Sequence, residues 1–168
     1  LKPKHPEFDA IRDHVMDRYD QNVRLVDDYL MRVLDGAGAE ATVVLFSDHG
    51  EEFWEHGSFE HGHTLYDELL RVPLIVKFPG AANAGAEVER QVRSIDIAPT
   101  VLAAVGLPVP GVFEGTDLAR QQPTNTEPDT VAISRMDRPP GKDISSIRTE
   151  EWKLYRMALF HLAEDPGE

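Results

Sequence analysis

The chain has 168 residues, which fits one domain of ordinary size and leaves little room for two. Asp and Glu number 30 against 17 Lys and Arg, a formal net charge of -13, while 41% of the residues are apolar. That apolar share excludes a disordered acidic tail, and the negative balance argues against a nucleic-acid or anionic-membrane surface. Cysteine is absent, which removes disulfides, thiolate metal ligands and a Cys nucleophile from these residues and leaves the compartment open. The charge is uneven. Between Arg32 and Arg71 there is no Lys or Arg, yet nine carboxylates and four of the seven histidines fall there. Such a stretch calls for a cation, and a divalent metal is the first candidate.

In chain order, Leu1 to Pro6 lacks both an initiator Met and the apolar core of a signal peptide, so the chain reads as a piece of something longer. Phe8, Ile11, Val15, Tyr19, Val23, Val26, Leu30 and Val33 recur at three- and four-residue steps and predict a helix over 8–34, stopped by Gly36 and Gly38. Ala41 to Phe46 is a continuous apolar run of strand length, as for a strand buried on both faces. Residues 50–63 are polar, Gly-punctuated and rich in His and Glu, and read as an irregular loop. A short helix over 64–70, strands over 72–78 and 88–92, and a helix over 94–105 follow, the last stopped by Gly106. Residues 107–129 read as a long connection. Four short strand-like pieces after it (131–134, 144–148, 152–157 and 159–162) predict a small antiparallel sheet, with room for only a tight hairpin turn at Met157-Ala158. The order indicates an α/β layer over 1–128 and a small antiparallel subdomain over 129–168.

Ligands of open α/β sheets sit beyond the carboxyl ends of the strands, which is where Asp48 and His49 fall. Their oxygen and nitrogen suit Ca²⁺, Mn²⁺ or Zn²⁺. Taken alone, Asp-His-Gly is a weak motif, and a turn-capping Asp beside an exposed His is the blander explanation. His56, His61 and His63 together offer a self-contained zinc site as a distant alternative; no H-E-x-x-H helix supports it. Glu51 is placed to orient a ligand. Glu52, Glu55 and Glu60 read as a solvated face, and His56 as a structural or surface histidine.

Ser47-Asp48-His49-Gly50-Glu51, His56-Gly57, His61-Gly62-His63-Thr64-Leu65-Tyr66-Asp67-Glu68 and Arg71-Val72-Pro73-Leu74-Ile75 together resemble the sulfatase family of the alkaline-phosphatase superfamily. Ser94-Ile95-Asp96-Ile97-Ala98-Pro99-Thr100 is similar to the family's S-x-D-x-x-P-T helix start. Arg148-Thr149-Glu150-Glu151-Trp152-Lys153 and Leu159 to Glu168 resemble its R-T-x-x-W-K and L-Y-D-L-x-x-D-P-x-E segments.

The resemblance implies part of an alkaline-phosphatase-like α/β/α sandwich with a small C-terminal antiparallel sheet. It implies Asp48 and His49 as two ligands of one divalent metal, by family habit Ca²⁺, with Mn²⁺ left open by the imidazole nitrogen. Where the family commonly places a Lys that contacts the sulfate, this chain has His61. A protonated His61 can bind an anion or protonate a leaving alcohol, which would favour lower pH. His63 is the alternative contact, or packing that supports the following helix. The family's formylglycine nucleophile arises from a C/S-x-P-x-R segment, and none is present here.

The expectation is therefore the C-terminal part of a sulfate-ester hydrolase acting on a small anionic ester. By itself it should be inactive, because two ligands cannot hold a hard cation that needs six or more donors. The partner is then the missing N-terminal half, and the face left bare predicts self-association. A phosphodiester or phosphonate monoester hydrolase of the same superfamily, or a noncatalytic α/β assembly module, are the alternatives.

Overall fold

A computed structural model describes residues 4–119, 130–137 and 143–168. In chain order the elements are α1 (Phe8–Ala37), β1 (Val43–Phe46), β2 (Glu52–Phe53), β3 (Phe59–Glu60), α2 (Asp67–Leu70), β4 (Leu74–Lys77), α3 (Ile97–Ala104), β5 (Ala132–Met136), β6 (Ile144–Arg148), β7 (Trp152–Tyr155) and β8 (Ala158–His161).

The predicted long helix forms and runs four residues beyond the last residue of its stripe, through Gly36 to Ala37. Gly38 then leaves it at φ 78°, a left-handed conformation that suits glycine. β1 and β4 pair antiparallel, Val43 opposite Lys77 and Phe46 opposite Leu74. Lys77 Nζ donates to the carbonyls of Gly38, Ala39 and Ala41 and so ties the end of α1 to the start of β1. The sequence reads β1 as buried on both faces. Among the described residues it pairs with β4 alone, and Phe46 and, on β4, Ile75 stay 49% and 60% exposed. Val23, Val26 and Val33 on the stripe of α1 are equally bare. These apolar faces have the composition of a core, and nothing among the described residues covers them.

Residues 50–63 differ from the predicted irregular loop. β2 and β3 form a minimal antiparallel hairpin with Phe53 opposite Phe59. Its aromatic rings hold it to α1. Phe8 meets Trp54 edge-on at 5.3 Å, Tyr19 meets Phe53 at 5.1 Å, and Trp54 stacks on Phe59 at 4.5 Å. Charge and glycine dominate the composition there, whereas three aromatics decide the structure. The helix expected over 64–70 shrinks to the single turn of α2, preceded by buried Thr64 and Leu65 and by Tyr66 in extended backbone. The strand expected over 88–92 is absent. The Gln91 side-chain amide donates to the carbonyls of Thr130 and Arg148, so a side chain replaces the ladder that would have defined a strand.

Ser94–Asp96 form one 3₁₀ turn leading into α3, and Gly106 at φ 74° follows its end as predicted. Asp96, 1% exposed, accepts from Arg93 N at 2.8 Å and Thr116 N at 2.9 Å, and Leu118 N donates to Thr100 Oγ1 at 3.0 Å. The Ser94-to-Thr100 motif thus fastens the segment 114–118. Residues 107–119 contain neither helix nor strand; the rest of the predicted connection, 120–129, lies outside the described residues. The antiparallel sheet forms as a meander in the order β5-β6-β7-β8. Its last turn is Arg156-Met157, one residue earlier than the spacing suggests, with φ of 49° and 65°. Both central residues are left-handed, the geometry that matches the twist of a two-residue hairpin.

Candidate functional site

The four residues after β1 fold back on themselves. Ser47 Oγ donates to the His49 carbonyl at 2.6 Å, and His49 N donates to Asp48 Oδ1 at 3.1 Å. Gly50 N donates to the Leu69 carbonyl at 2.9 Å, pressing the loop against α2. A Cβ at Gly50 would lie 1.9 Å from the Glu68 carbonyl oxygen, so only glycine fits there. The Asp-His-Gly triplet is therefore a packing unit as well as a pair of donors.

His49 Nδ1 lies 2.8 Å from the Gly50 carbonyl oxygen. A carbonyl can only accept, so Nδ1 donates, and in the neutral tautomer the lone pair falls on Nε2. That nitrogen lies 3.8 Å from Asp48 Oδ1, whose carboxylate is 85% exposed. Two donors at that separation can share one divalent ion about 2.0–2.6 Å from each. The donor set fits two corners of a metal site.

His61 comes to the same place from thirteen residues downstream. Its ring stacks on that of His49 with centroids 3.9 Å apart, and its Nδ1 lies 3.2 Å from Glu51 Oε1. Glu51 thus orients His61 rather than a metal ligand. Nε2 of His61 makes no hydrogen bond among the described residues, and the side chain is half exposed. His63 is placed differently. Nδ1 faces the His61 carbonyl at 3.2 Å, and Nε2 faces Glu52 Oε2 at 3.0 Å. Both of its nitrogens are engaged within the loop.

Glu52 reverses the reading of this stretch as a solvated face: it is fully buried, while Glu55 and Glu60 are exposed as expected. Its hydrophobic neighbours gave no hint of burial, and only the hairpin turns it inward. His56, His61 and His63 do not gather as one donor group among the described residues. The donors that do approach one another are Glu52, His56 and Glu68, and all three are already engaged in internal hydrogen bonds.

His56 is a brace. Its ring stacks on Tyr66 at 3.5 Å, Nδ1 meets Glu68 Oε1 at 2.7 Å, and Nε2 meets the Gly167 carbonyl oxygen at 2.8 Å. Burial alone would lower its pKa, but the hydrogen bond and charge of Glu68 and the carbonyls of Glu168 and Gly167 outweigh it and hold the value above the ordinary one. A histidine raised in this way adds stability that is complete below its unfolded pKa of about 6.5 and is lost as pH rises through the folded value. The charged groups around it are Glu68, Glu52 and Glu168, with Lys153 beyond Tyr66. The margin of wild type over His56→Gln in stability should therefore be larger at about pH 6 than at about pH 8.5. Denaturant titration at the two pH values checks this, and an equal margin at both would refute it.

Behind His56 lies a network the motifs did not foretell. Lys153 on β7, with no exposed side-chain surface, donates to Asp67 Oδ1 at 2.9 Å and Glu168 Oε2 at 2.7 Å. Arg148 on β6 meets Asp67 Oδ2 at 3.1 Å. Burial pushes Asp67 up, but the hydrogen bond and charge of Lys153 and the charge of Arg148 prevail and hold it below the usual carboxylate range. Glu168 is pushed up, first by burial and then by the charge of Asp67, despite its pairing with Lys153. The Arg and Lys of the R-T-x-x-W-K segment and the Glu of the D-P-x-E segment thus clamp the antiparallel sheet onto α2, the turn against which Gly50 packs.

The family model described as Sulfatase matches residues 2–107, more than half of the chain. The chain belongs to the sulfatase family. Among curated sulfatases, the N-acetylglucosamine-6-O-sulfatase of Bacteroides thetaiotaomicron is 33% identical over 99 residues, covering 59% of this chain and 17% of its own length. Arylsulfatase K of Danio rerio is 30% identical over 159 residues, covering 86% of this chain and 30% of its own. The solved structure of BT4656 in complex with its substrate D-glucosamine-2-N,6-O-disulfate superposes with a TM-score of 0.58 at 24% identity, over 88% of this chain and 32% of that one. The fold is thus that of part of a sulfatase, and the chain spans 17–30% of the length of these curated relatives.

Proposed function

We propose that these residues form one wall of the active site of a metal-dependent sulfate-ester hydrolase. The observation that supports it most is the convergence of three side chains at the end of β1: Asp48 Oδ1 and Nε2 of His49, 3.8 Å apart, with the His61 ring stacked on His49. Asp48 and His49 would hold the cation, by family habit Ca²⁺, with Mn²⁺ compatible with the imidazole ligand. The chemistry it would supply there is Lewis-acid polarisation of the sulfuryl oxygens of the ester. His61, held through Nδ1 by Glu51, presents Nε2 to a sulfate oxygen or to the leaving oxygen. His63, with both nitrogens engaged, acts in this reading by holding the loop.

The remaining ligands and the formylglycine nucleophile belong to the part of a sulfatase that these residues do not include. The bare apolar faces of α1, β1 and β4 are where that part packs, and the 168 residues alone are inactive. The names of two relatives make an amino-sugar sulfate the first natural substrate to try, beside a chromogenic aryl sulfate.

The test uses the intact protein with 4-nitrophenyl sulfate and glucosamine 6-sulfate. Asp48→Ala and His49→Ala should each lower turnover by more than about 100-fold, since partners one shell further out already cost 10–100-fold. Metal measured by mass spectrometry should fall in parallel, with the thermal midpoint nearly unchanged in metal-free buffer. Full turnover in both variants would overturn the assignment.

A further inference from the structure

The loop that brings His61 to His49 begins and ends on one buried carboxylate. Glu52 is 0% exposed. Its Oε1 accepts from Ser58 N at 2.8 Å and from His56 N at 3.3 Å. Its Oε2 accepts from His63 Nε2 at 3.0 Å and from Thr64 Oγ1 at 3.3 Å. Two donors lie on the outgoing arm of the loop and two on the returning arm, so the carboxylate closes residues 52–64 into a ring. A buried ionised carboxylate is tolerable only with such a full set of donors.

His63 links this anchor to His61. Its two ring nitrogens face the His61 carbonyl oxygen, at 3.2 Å from Nδ1, and the Glu52 carboxylate, at 3.0 Å from Nε2, so the ring bridges the anchor and the main chain of His61. From Glu52 the connection runs through His63 to the main chain of His61 and so to the ring stacked on His49. Gly62, between the two histidines, is left-handed at φ 80°, which lets His63 turn back onto the preceding carbonyl.

We propose that Glu52 and His63 form a positioning pair that fixes the His61 ring against His49, distinct from any direct contact with the ester. The kinetic part of the test rests on the function proposed above; the spectroscopic part does not. In the intact protein, His63→Gln keeps a donor for Glu52 and gives up the bond to the His61 carbonyl, so it separates positioning from mere satisfaction of a buried charge. Glu52→Gln removes the charge of the anchor and one of its two acceptor oxygens.

With ¹⁵N-histidine labelling, both variants should shift the His61 ring signals relative to wild type. With 4-nitrophenyl sulfate both should lower kcat by about 10–100-fold with KM within about threefold. In a His61→Ala background Glu52→Gln should add no further loss of kcat, because it acts through His61. His61 ring signals unmoved in folded His63→Gln, or a full additional loss in the His61→Ala background, would overturn the proposal. If Glu52→Gln fails to fold, His63→Gln decides by the same readouts. Wild-type protein without turnover on any sulfate ester would sink the proposed function, while the ring signals still decide the positioning.

Discussion

Replacing Lys153 with Met is expected to cost the protein about 3–5 kcal/mol of stability, the usual loss when one partner of a buried ion cluster is removed. Lys153 has no exposed side-chain surface, and Glu168 beside it is 1% exposed. In the variant, Asp67 retains Arg148 at 3.1 Å, but Glu168 loses its cation and faces the negative charge of Asp67. The cost lies chiefly in that stranded carboxylate, so Lys153→Met/Glu168→Leu should lose less than Lys153→Met alone. A double-mutant cycle by thermal or urea unfolding measures it. A single-variant loss below about 1 kcal/mol would show that water reaches the cluster, as at an exposed pair.

Gly50→Ala should be nearly as damaging, by about 3 kcal/mol or more, the upper range for overpacking. The added methyl would meet the Glu68 carbonyl oxygen at 1.9 Å and its carbon at 2.9 Å. Both are backbone atoms and cannot rotate aside. Either α2 moves, straining the Asp67 cluster, or the loop moves and takes Asp48 and His49 with it. Metal affinity should therefore fall together with stability. Gly36→Ala is the control: nothing lies within 4 Å of its Cβ, and a helical Ala there should be neutral or stabilising by up to about 1 kcal/mol. Equal effects of the two substitutions on the urea midpoint would exclude the close approach as the cause.

Periodicity and motif spacing determined a good part of this protein without coordinates. The stripe from Phe8 to Val33 sets α1, the apolar runs before Asp48 and after Arg71 set β1 and β4, and the four short alternating pieces set the antiparallel meander. Each is a local signal: side chains three or four apart share a helix face, and alternate ones share a strand face. The motifs sufficed likewise for the family, and they singled out Asp48, His49 and His61, which do converge.

What the sequence did not decide was the role of each polar residue, because a carboxylate or an imidazole has no local signature of burial. Glu51, Glu52, Glu55 and Glu60 look alike in the chain. Only the hairpin of β2 and β3, held to α1 by Phe53 and Trp54, turns Glu52 fully inward and leaves Glu55 and Glu60 in solvent. His56 and His63 are equal candidates by composition, yet one braces the segment 167–168 and the other faces Glu52. Asp67, Arg148, Lys153 and Glu168 span a hundred residues and meet only when the sheet docks on α2. The uneven charge visible from the outset, nine carboxylates and four histidines without a Lys or Arg, was a sequence property. Which of those charges are buried and satisfied, and which remain open at the end of β1, was settled by long-range packing alone. Desolvation is a property of the surroundings and not of the residue.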